Sequence, residues 1–331
     1  MLMYVVRRFA YMLLLLWLVS VGSFVLIQLP PGDYVTVLVA DMEMFQNIVL
    51  KPEDVEQLRR AYGLDRPLYV QYFAWMGRLV RGDLGNSIAY QRPVLELLKE
   101  RVPMTVVISV AAMAFVWAMA IPIGIYSATH QYSLGDYVVT VIGFVGMAVP
   151  PFLLALVVMY FGFRWFGFAP AGLLSAEYIA EPWSVGKLVD LLKHLPLPVI
   201  VTGIAGTAGL IRVLRACLLD ELEQQYVVTA RAKGLSEGRL LMKYPVRVAV
   251  NPLVSTIGWS LAGIVSGSTI ISIVLNLPTT GPLLLDAVLK QDMELAGSII
   301  MVLSGLTVLG TYLSDILLVL VDPRIRYESQ T

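Results

Sequence analysis

Long, largely uncharged segments alternate with charged ones along the whole chain. Six of these segments are long enough to cross the hydrocarbon core of a bilayer as helices, which takes about 20 residues. They cover residues 9–29, 104–127, 137–163, 194–211, 248–275 and 296–321. The pattern therefore predicts an all-α polytopic membrane protein with six transmembrane helices.

Several of the predicted spans contain residues that disturb or tighten a helix. Pro122 is expected to kink the second span, and Pro150 with Pro151 is expected to break the third near its middle. A packing kink is favoured there over a substrate path. Glycine and alanine crowd the fourth span, which predicts a place inside the bundle, because small side chains let helix backbones approach closely. Residues 278–282 predict a re-entrant or interfacial turn after the fifth span.

Basic residues collect on one side of these spans. The N-terminus, the shorter loops and the C-terminal tail together place eleven Lys and Arg on the inner side and four on the outer side. Cytoplasmic loops carry such an excess, so both termini are predicted to be cytoplasmic. A cleaved signal peptide is the alternative for residues 1–29, but their apolar run is longer than the roughly 7–15 residues of a signal core.

The charges also divide the chain into three regions. Residues 1–29 hold the N-terminal segment and the first span. Residues 30–102 carry nine basic and ten acidic residues, too many for a membrane, and predict an external domain. Within it, helices are predicted over 52–62, ended by Gly63, and over 68–79. Residues 103–331 predict a core of five spans, with a cytoplasmic loop at about 212–247.

Composition agrees with a membrane protein and excludes some kinds of site. Of the 331 residues, 58% are hydrophobic and 15% are charged, which is too apolar for an ordinary soluble domain. The formal net charge is zero, so no overall field favours nucleic acid. The single cysteine, Cys217, excludes an internal disulfide and a cysteine-based metal site.

The same residues argue against ATP hydrolysis by this chain and against two other function classes. The sequence has no Gly-x-x-x-x-Gly-Lys-Ser/Thr loop, so the chain does not hydrolyse ATP in that way. Ser260 lies in a predicted span like the nucleophile of an intramembrane protease, but His130 and His194 lie at or near span ends, away from it. A secondary transporter usually carries ionisable residues inside the membrane and internal repeats; this chain offers Asp315 and no visible repeat.

A charged stretch from Arg212 to Ser255, here called the elbow, separates the fourth and fifth spans. It has no Pro or Gly between Leu214 and Lys233, which predicts one helix. Gly234 can adopt the left-handed conformation that ends a helix, and Ser236 can cap the next one. Glu237 then sits where a helix N-terminus favours negative charge. The prediction is a helix, a tight turn and a second helix.

The elbow resembles the EAA loop of ABC importer permeases, in particular of the dipeptide, oligopeptide and nickel branch. The matching residues are Tyr226, Val227, Thr229, Ala230, Arg231, Ala232, Lys233, Gly234, Leu235, Ser236, Asn251 and Pro252. Residues 29–33, 62–68, 81–85 and 92–94 and the tail 322–326 resemble the first permease subunit of that branch. In that family the loop docks into a groove on an ATPase subunit. Small residues before Gly234 suit this role, because a short helix seats deeply only where no bulk protrudes.

The resemblance implies a type I ABC importer permease in the inner membrane of a prokaryote, transporting peptides by alternating access. Its implied partners are a second homologous permease, two ABC ATPases, an extracytoplasmic substrate-binding protein and the lipid bilayer, with no nucleic acid. It implies no cofactor in this chain, since ATP and Mg²⁺ bind to the ATPases. Oligosaccharides and nickel chelates stay open as substrates, because residues 248–285 lack the acid that peptide members often carry. The resemblance identifies no substrate-binding residues.

Overall fold

The computed structural model describes residues 2–167, 171–255, 257 and 268–321, and every element below lies within them. The first part of the chain forms α1 (Leu2–Gln28), α2 (Tyr34–Gln46), α3 (Pro52–Ala61), α4 (Leu68–Val80), an antiparallel ribbon of β1 (Asn86–Ser87) and β2 (Arg92–Pro93), and α5 (Val94–Thr129). The middle part forms α6 (Leu134–Ala148), α7 (Pro151–Phe166), α8 (Ala176–Ile179), α9 (Val185–His194) and α10 (Pro196–Leu222). The last part forms α11 (Gln225–Ala232), α12 (Glu237–Lys243), α13 (Pro245–Ala249), α14 (Asn251–Ser255), α15 (268–274), α16 (Thr280–Leu289) and α17 (Met293–Val321). The described part is mostly helical, as predicted, with one short two-stranded ribbon.

Four described helices are long and apolar enough to cross a membrane: Phe9–Gln28 of α1, all of α5 and α10, and Met293–Tyr312 of α17. α6 and α7 together make a fifth candidate, bent by 97°. The break predicted at Pro150 and Pro151 is therefore confirmed. The predicted fifth span includes residues 256 and 258–267, with Ser260, which lie outside the described residues, and so does the side chain of Asp315. The prediction of six spans stays a prediction.

Several predicted boundaries are confirmed and two are wrong. α3 and α4 lie where helices were predicted, and Gly63 after α3 has a φ of +69°. The predicted single helix from Leu214 to Lys233 is wrong, because α10 ends at Leu222 and α11 begins at Gln225. The predicted turn at 278–282 is also wrong. Thr279 is the N-cap residue of α16, although its side chain makes no capping hydrogen bond, and Thr280 within the helix is fully buried, so this segment is a packed helix start.

The chain folds as two compact units, and the first holds residues 1–103 and 279–308. Its apolar core joins the end of α1, the start of α5, α16 and the start of α17, through Ile27, Val94, Leu97, Leu283, Leu295 and Ile299. Asp292 is fully buried there. Its carboxylate accepts hydrogen bonds from Ser87 Oγ at 2.6 Å and from the Ala89 backbone N–H at 3.0 Å. The ribbon and the turn between its two strands are therefore fixed to the start of α17.

The second unit holds residues 104–278 and 309–331, and α10 is its central helix. α10 packs against α6, α7 and α13. A Cβ at Gly203 of α10 would lie 2.8 Å from Phe115 Cδ1 and 3.2 Å from Val116 Cγ2 of α5, so glycine is required for the two helices to approach this closely. The prediction that small residues place the fourth span inside the bundle is confirmed.

Candidate functional site

The elbow has a small apolar core of its own. Val227 and Ala230 of α11 pack against Leu240 of α12, and all three are buried. Leu235 and Tyr244 cover this cluster from the sides. α11 and α12 therefore form one folded hairpin of helices, which explains why the helix predicted over 214–233 divides. Gln224 takes an extended conformation, with a ψ of 145°, and turns α11 toward α12.

Gly234 makes the tight turn between the two helices. Its φ is +78°, the left-handed region that glycine enters without strain. The Leu235 N–H donates to the Ala230 carbonyl at 3.4 Å, and the Gly234 N–H donates to the Arg231 carbonyl at 3.0 Å. This pair of bonds, with Leu235 packed near Ala230, is a Schellman motif that satisfies the last carbonyls of α11. The prediction that Gly234 ends a helix is confirmed.

An ion pair closes the turn on its outer side. Arg231 Nε donates to Glu237 Oε1 at 2.6 Å, and Arg231 Nη2 donates to Glu237 Oε2 at 3.2 Å. The hydrogen bond from Arg231 lowers the pKa of Glu237 below its ordinary value, and the bond to Glu237 raises the pKa of Arg231. Ser236 begins α12 in an extended conformation, as predicted for a cap, but its side chain makes no capping hydrogen bond.

Polar contacts brace the base of α11. The Tyr226 hydroxyl donates to the Glu221 carboxylate on α10, and the Tyr226 ring lies 6.4 Å from the ring of Tyr244. Thr229 Oγ1 donates to the Gln225 carbonyl at 2.8 Å. These contacts fix α11 to the end of α10 and to the end of α12.

The predicted site residues divide between the inside and the outside of the elbow. Ala230 lies in its apolar core and Leu235 is half-buried beside it. The exposed residues are Tyr226, Thr229, Arg231, Ala232, Lys233, Gly234 and Ser236. The small exposed residues at the tip are thus Ala232 and Gly234, and a Cβ on Gly234 would meet no atom within 4 Å. The tip is a surface of small side chains with the exposed cation Lys233 on it.

Comparison with protein families covers nearly the whole chain. The family described as binding-protein-dependent transport system inner membrane component matches residues 120–327. A second family, described as the N-terminal part of binding-protein-dependent transport system membrane components, matches residues 1–109. The chain belongs to this family. This permease is therefore a multi-pass protein of the prokaryotic plasma membrane, and the elbow lies within the matched region.

Three relatives match the permease along nearly their full length. The oligopeptide transport system permease protein AppB of Bacillus subtilis is 34% identical over 328 residues, covering 98% of this chain and 99% of that protein. The oligopeptide transport system permease protein OppB of Haemophilus influenzae is 30% identical, covering 99% and 100%. The di/tripeptide transport system permease protein DppB of Pseudomonas aeruginosa is also 30% identical, with the same coverage. The chain is thus similar in length and sequence to permeases named for peptide transport.

A buried ion pair in the permease lies on the helix that carries the elbow, and sequence reasoning missed it. Arg215 Nη2 of α10 donates to Asp136 Oδ2 of α6 at 3.0 Å. Asp136 is buried and also accepts from the Ser127 hydroxyl and, at 3.1 Å, from the Tyr132 backbone N–H. One signal in the sequence could have indicated this pair. Asp136 follows the uncharged run 102–135, and a carboxylate buried there needs a cation nearby. The pair holds the turn between α5 and α6 against the base of the elbow.

An apolar cavity of about 380 Å³ lies between α5, α6, α7 and α10 of the second unit, beside the break at Pro150. Its walls include Phe115, Met119, Ile142, Val145, Leu154 and Ile204. Thr207 is the one polar side chain on its described lining, and no carboxylate reaches it. The cavity therefore offers an apolar surface and no charged partner.

Proposed function

We propose that this permease is the membrane-spanning subunit of an ATP-driven importer and that its elbow transmits the motion of an ATPase subunit. The tip around Gly234 seats in a groove of the ATPase, and ATP-driven closure moves the elbow as a rigid body. That motion opens the substrate path to the outside, as alternating access requires. ATP and Mg²⁺ are held by the ATPases, and this chain supplies the path.

The observation that carries this proposal is the folded hairpin of α11 and α12. A helix can transmit a force only if it is packed rigidly against its neighbours. The buried core of Val227, Ala230 and Leu240 packs α11 rigidly against α12. The exposed tip carries Ala232 and Gly234, which let another surface approach the backbone closely. The Arg215–Asp136 pair then joins the helix behind the elbow to the turn between α5 and α6.

The remaining parts of the proposal follow from the family and the charge pattern. Six spans place both termini in the cytoplasm, and the region 30–102 lies outside, where it receives a substrate-binding protein. A second homologous permease completes the path, and two ATPases complete the assembly. Within the permease, the coupling residues are Tyr226, Thr229, Arg231, Ala232, Lys233, Gly234 and Ser236 at the surface, with Ala230 and Leu235 supporting them.

Peptides are the proposed substrate. Relatives of matching length are named for oligopeptides and for di- and tripeptides. An uptake assay with the reconstituted importer and its binding protein decides this point by comparing labelled peptides, oligosaccharides and nickel chelates. Saturable uptake of peptides supports the assignment, and uptake of another class alone would replace it.

The coupling role is tested by adding bulk at the tip without disturbing the core of the elbow. Ala232→Trp is the test variant, since Ala232 is exposed and is the last residue of α11. Ala180→Trp is a matched control, because Ala180 is the exposed residue that follows α8, outside the elbow and outside region 30–102. We expect Ala232→Trp to abolish transport and substrate-stimulated ATP hydrolysis, and Ala180→Trp to leave both intact. Wild-type activity of Ala232→Trp would show that the tip is not the coupling surface.

A further inference from the structure

One face of α4 is apolar and exposed. Tyr69, Phe73, Met76 and Val80 follow each other at spacings of four, three and four residues, so they form one stripe along the helix. Tyr69 is 67% exposed, Phe73 69% and Val80 79%, and Met76 between them is half-buried. Aromatic and aliphatic side chains are rarely left in water in such a row. The stripe therefore needs a partner.

The other contacts of α4 fix its depth relative to the first transmembrane helix. The Tyr72 hydroxyl lies 2.9 Å from Ser20 Oγ, and the Tyr72 ring lies 5.4 Å from the ring of Phe24. Ser20 and Phe24 belong to the apolar span that ends at Gln28. At 1.5 Å per residue they lie about 12 Å and about 6 Å inside that end of the helix.

The last transmembrane helix gives the same depth independently. Trp75 lies against Gly297, where an added Cβ would come within 2.7 Å of Trp75 Cζ2. Gly297 is four residues into the span that begins at Met293, so it lies about 6 Å inside its end. α4 therefore packs beside two spans at the level where an amphipathic helix rests in a bilayer, roughly 5–10 Å into the boundary of headgroups and acyl chains.

Polar residues of α4 lie on the side away from the stripe. Arg78 forms an ion pair with Glu294, the second residue of α17, at the end of that span. Gln71 Nε2 donates to the Arg66 carbonyl at 2.8 Å. Arg66 and Arg81 flank the two ends of the helix and are exposed, where phosphate headgroups would meet them.

We propose that α4 is an interfacial helix whose stripe of Tyr69, Phe73, Met76 and Val80 inserts among lipid acyl chains at the Gln28 end of α1. In the proposed topology this is the outer leaflet. The lipid surface is the partner because α4 lies at membrane depth beside two spans. α4 thereby anchors the first unit in the membrane, a role separate from transport itself.

The test uses the full-length chain in nanodiscs of phosphatidylcholine and phosphatidylglycerol, with Cys217→Ser as background. Single cysteines at Tyr69 and Phe73 are labelled with a small fluorophore, and Ala74→Cys is the control, since Ala74 is exposed on another side of the same helix. Quenching is compared between iodide in water and lipids that carry a nitroxide near the top or near the end of the acyl chain. We expect the upper nitroxide to quench Tyr69→Cys and Phe73→Cys about threefold more than Ala74→Cys, and iodide to show the reverse order, because the stripe lies in the upper acyl region.

Two outcomes of the quenching experiment would overturn the proposal. Equal access of iodide to all three positions would place the stripe in water. Protection of Tyr69→Cys and Phe73→Cys from both quenchers would show that protein, such as a second permease, covers the stripe.

A measurement on the unsubstituted chain guards against misfolded variants. A photoreactive diazirine on the upper acyl chain should label residues 68–80 and leave residues 52–61 unlabelled. Absence of label in 68–80 would contradict the proposal equally.

Discussion

Arg215 on α10 forms an ion pair with the buried carboxylate of Asp136 on α6, with Arg215 Nη2 3.0 Å from Asp136 Oδ2. Arg215 is seven residues before Leu222, where α10 ends, so the pair lies about 10 Å along the helix from the hairpin of α11 and α12. Gly124 of α5 adds a second close contact, since a Cβ there would lie 2.9 Å from Leu214 Cδ2. The ends of α5, α6 and α10 at the base of the elbow are thus fixed to one another.

Loss of this ion pair should destabilise the permease. Arg215→Ala leaves the Asp136 carboxylate buried without its cation, and we expect a loss of about 3 kcal/mol in unfolding free energy. Thermal or denaturant unfolding in detergent measures it. Arg212→Ala, one turn earlier, removes a stacking contact with Phe144 at 5.0 Å and an exposed hydrogen bond from Arg212 Nη2 to Met147 Sδ at 3.3 Å, and should cost about 1 kcal/mol or less. Equal losses in the two variants would show that the buried pair is not a stabilising contact.

Two glycines in the elbow should respond to alanine in opposite directions. Gly234→Ala forces a Cβ into the left-handed region, which should destabilise the hairpin by about 1–2 kcal/mol although no atom lies in its way. Gly238 is inside α12 with open space around it, so Gly238→Ala should stabilise by about 0.5–1 kcal/mol. Hydrogen exchange of residues 225–243 reports both changes. Shifts of the same sign would mean that the turn geometry does not control the hairpin.

Close packing of α10 on α5 predicts another pair of opposite outcomes. Gly203→Ala places a methyl group 2.8 Å from the ring of Phe115, and we expect a loss of about 1–3 kcal/mol as the ring shifts. Gly209→Ala on the same helix meets nothing within 4 Å and should be neutral or slightly stabilising. Melting temperatures of the two variants decide the matter. If Gly203→Ala melts like the wild type, the helices do not approach as closely as described.

The stability of the permease should depend on pH in the alkaline range, because the Tyr90 hydroxyl has a raised pKa. Burial, with the hydrogen bond to Asp286 Oδ2 at 2.7 Å, raises the pKa of Tyr90 from 10.0 to about 12. Because the folded pKa is raised, this stabilisation is complete below pH 10.0 and is lost as the pH rises toward about 12. The difference in tyrosinate absorbance between wild type and Tyr90→Phe should therefore show one group titrating near 12. A titration near 10 would contradict the described contact.

Local features of the elbow could be predicted because they depend on single residues. Gly234 ends a helix because glycine tolerates a positive φ, and that property can be recognised in the sequence. The break before Gln225 could not be predicted, since helix propensity is continuous through it. It exists because Val227 and Ala230 bury themselves against Leu240 across the turn, a tertiary gain that outweighs propensity.

Contacts between segments that are distant in sequence could not be predicted from the hydrophobic and polar pattern. Asp136 and Arg215 are 79 residues apart, and Ser87 and Asp292 are 205 apart, so no periodicity relates them. The break at Pro150 was predicted because proline lacks an N–H, but its 97° angle depends on what α6 and α7 pack against. The interfacial place of α4 likewise emerges only when Tyr72 is seen beside Ser20.

Site-specific crosslinking tests the central claim, that the tip of the elbow contacts an ATPase. The only cysteine is Cys217, so Cys217→Ser gives a cysteine-free chain into which Ala232→Cys or Ala61→Cys is introduced. A short thiol-to-amine crosslinker is applied in native membranes, and the adducts are identified by mass spectrometry. We expect Ala232→Cys to link to a protein with a phosphate-binding loop and Ala61→Cys not to do so. Failure of Ala232→Cys to link to any ATPase, while the importer remains active, would contradict it.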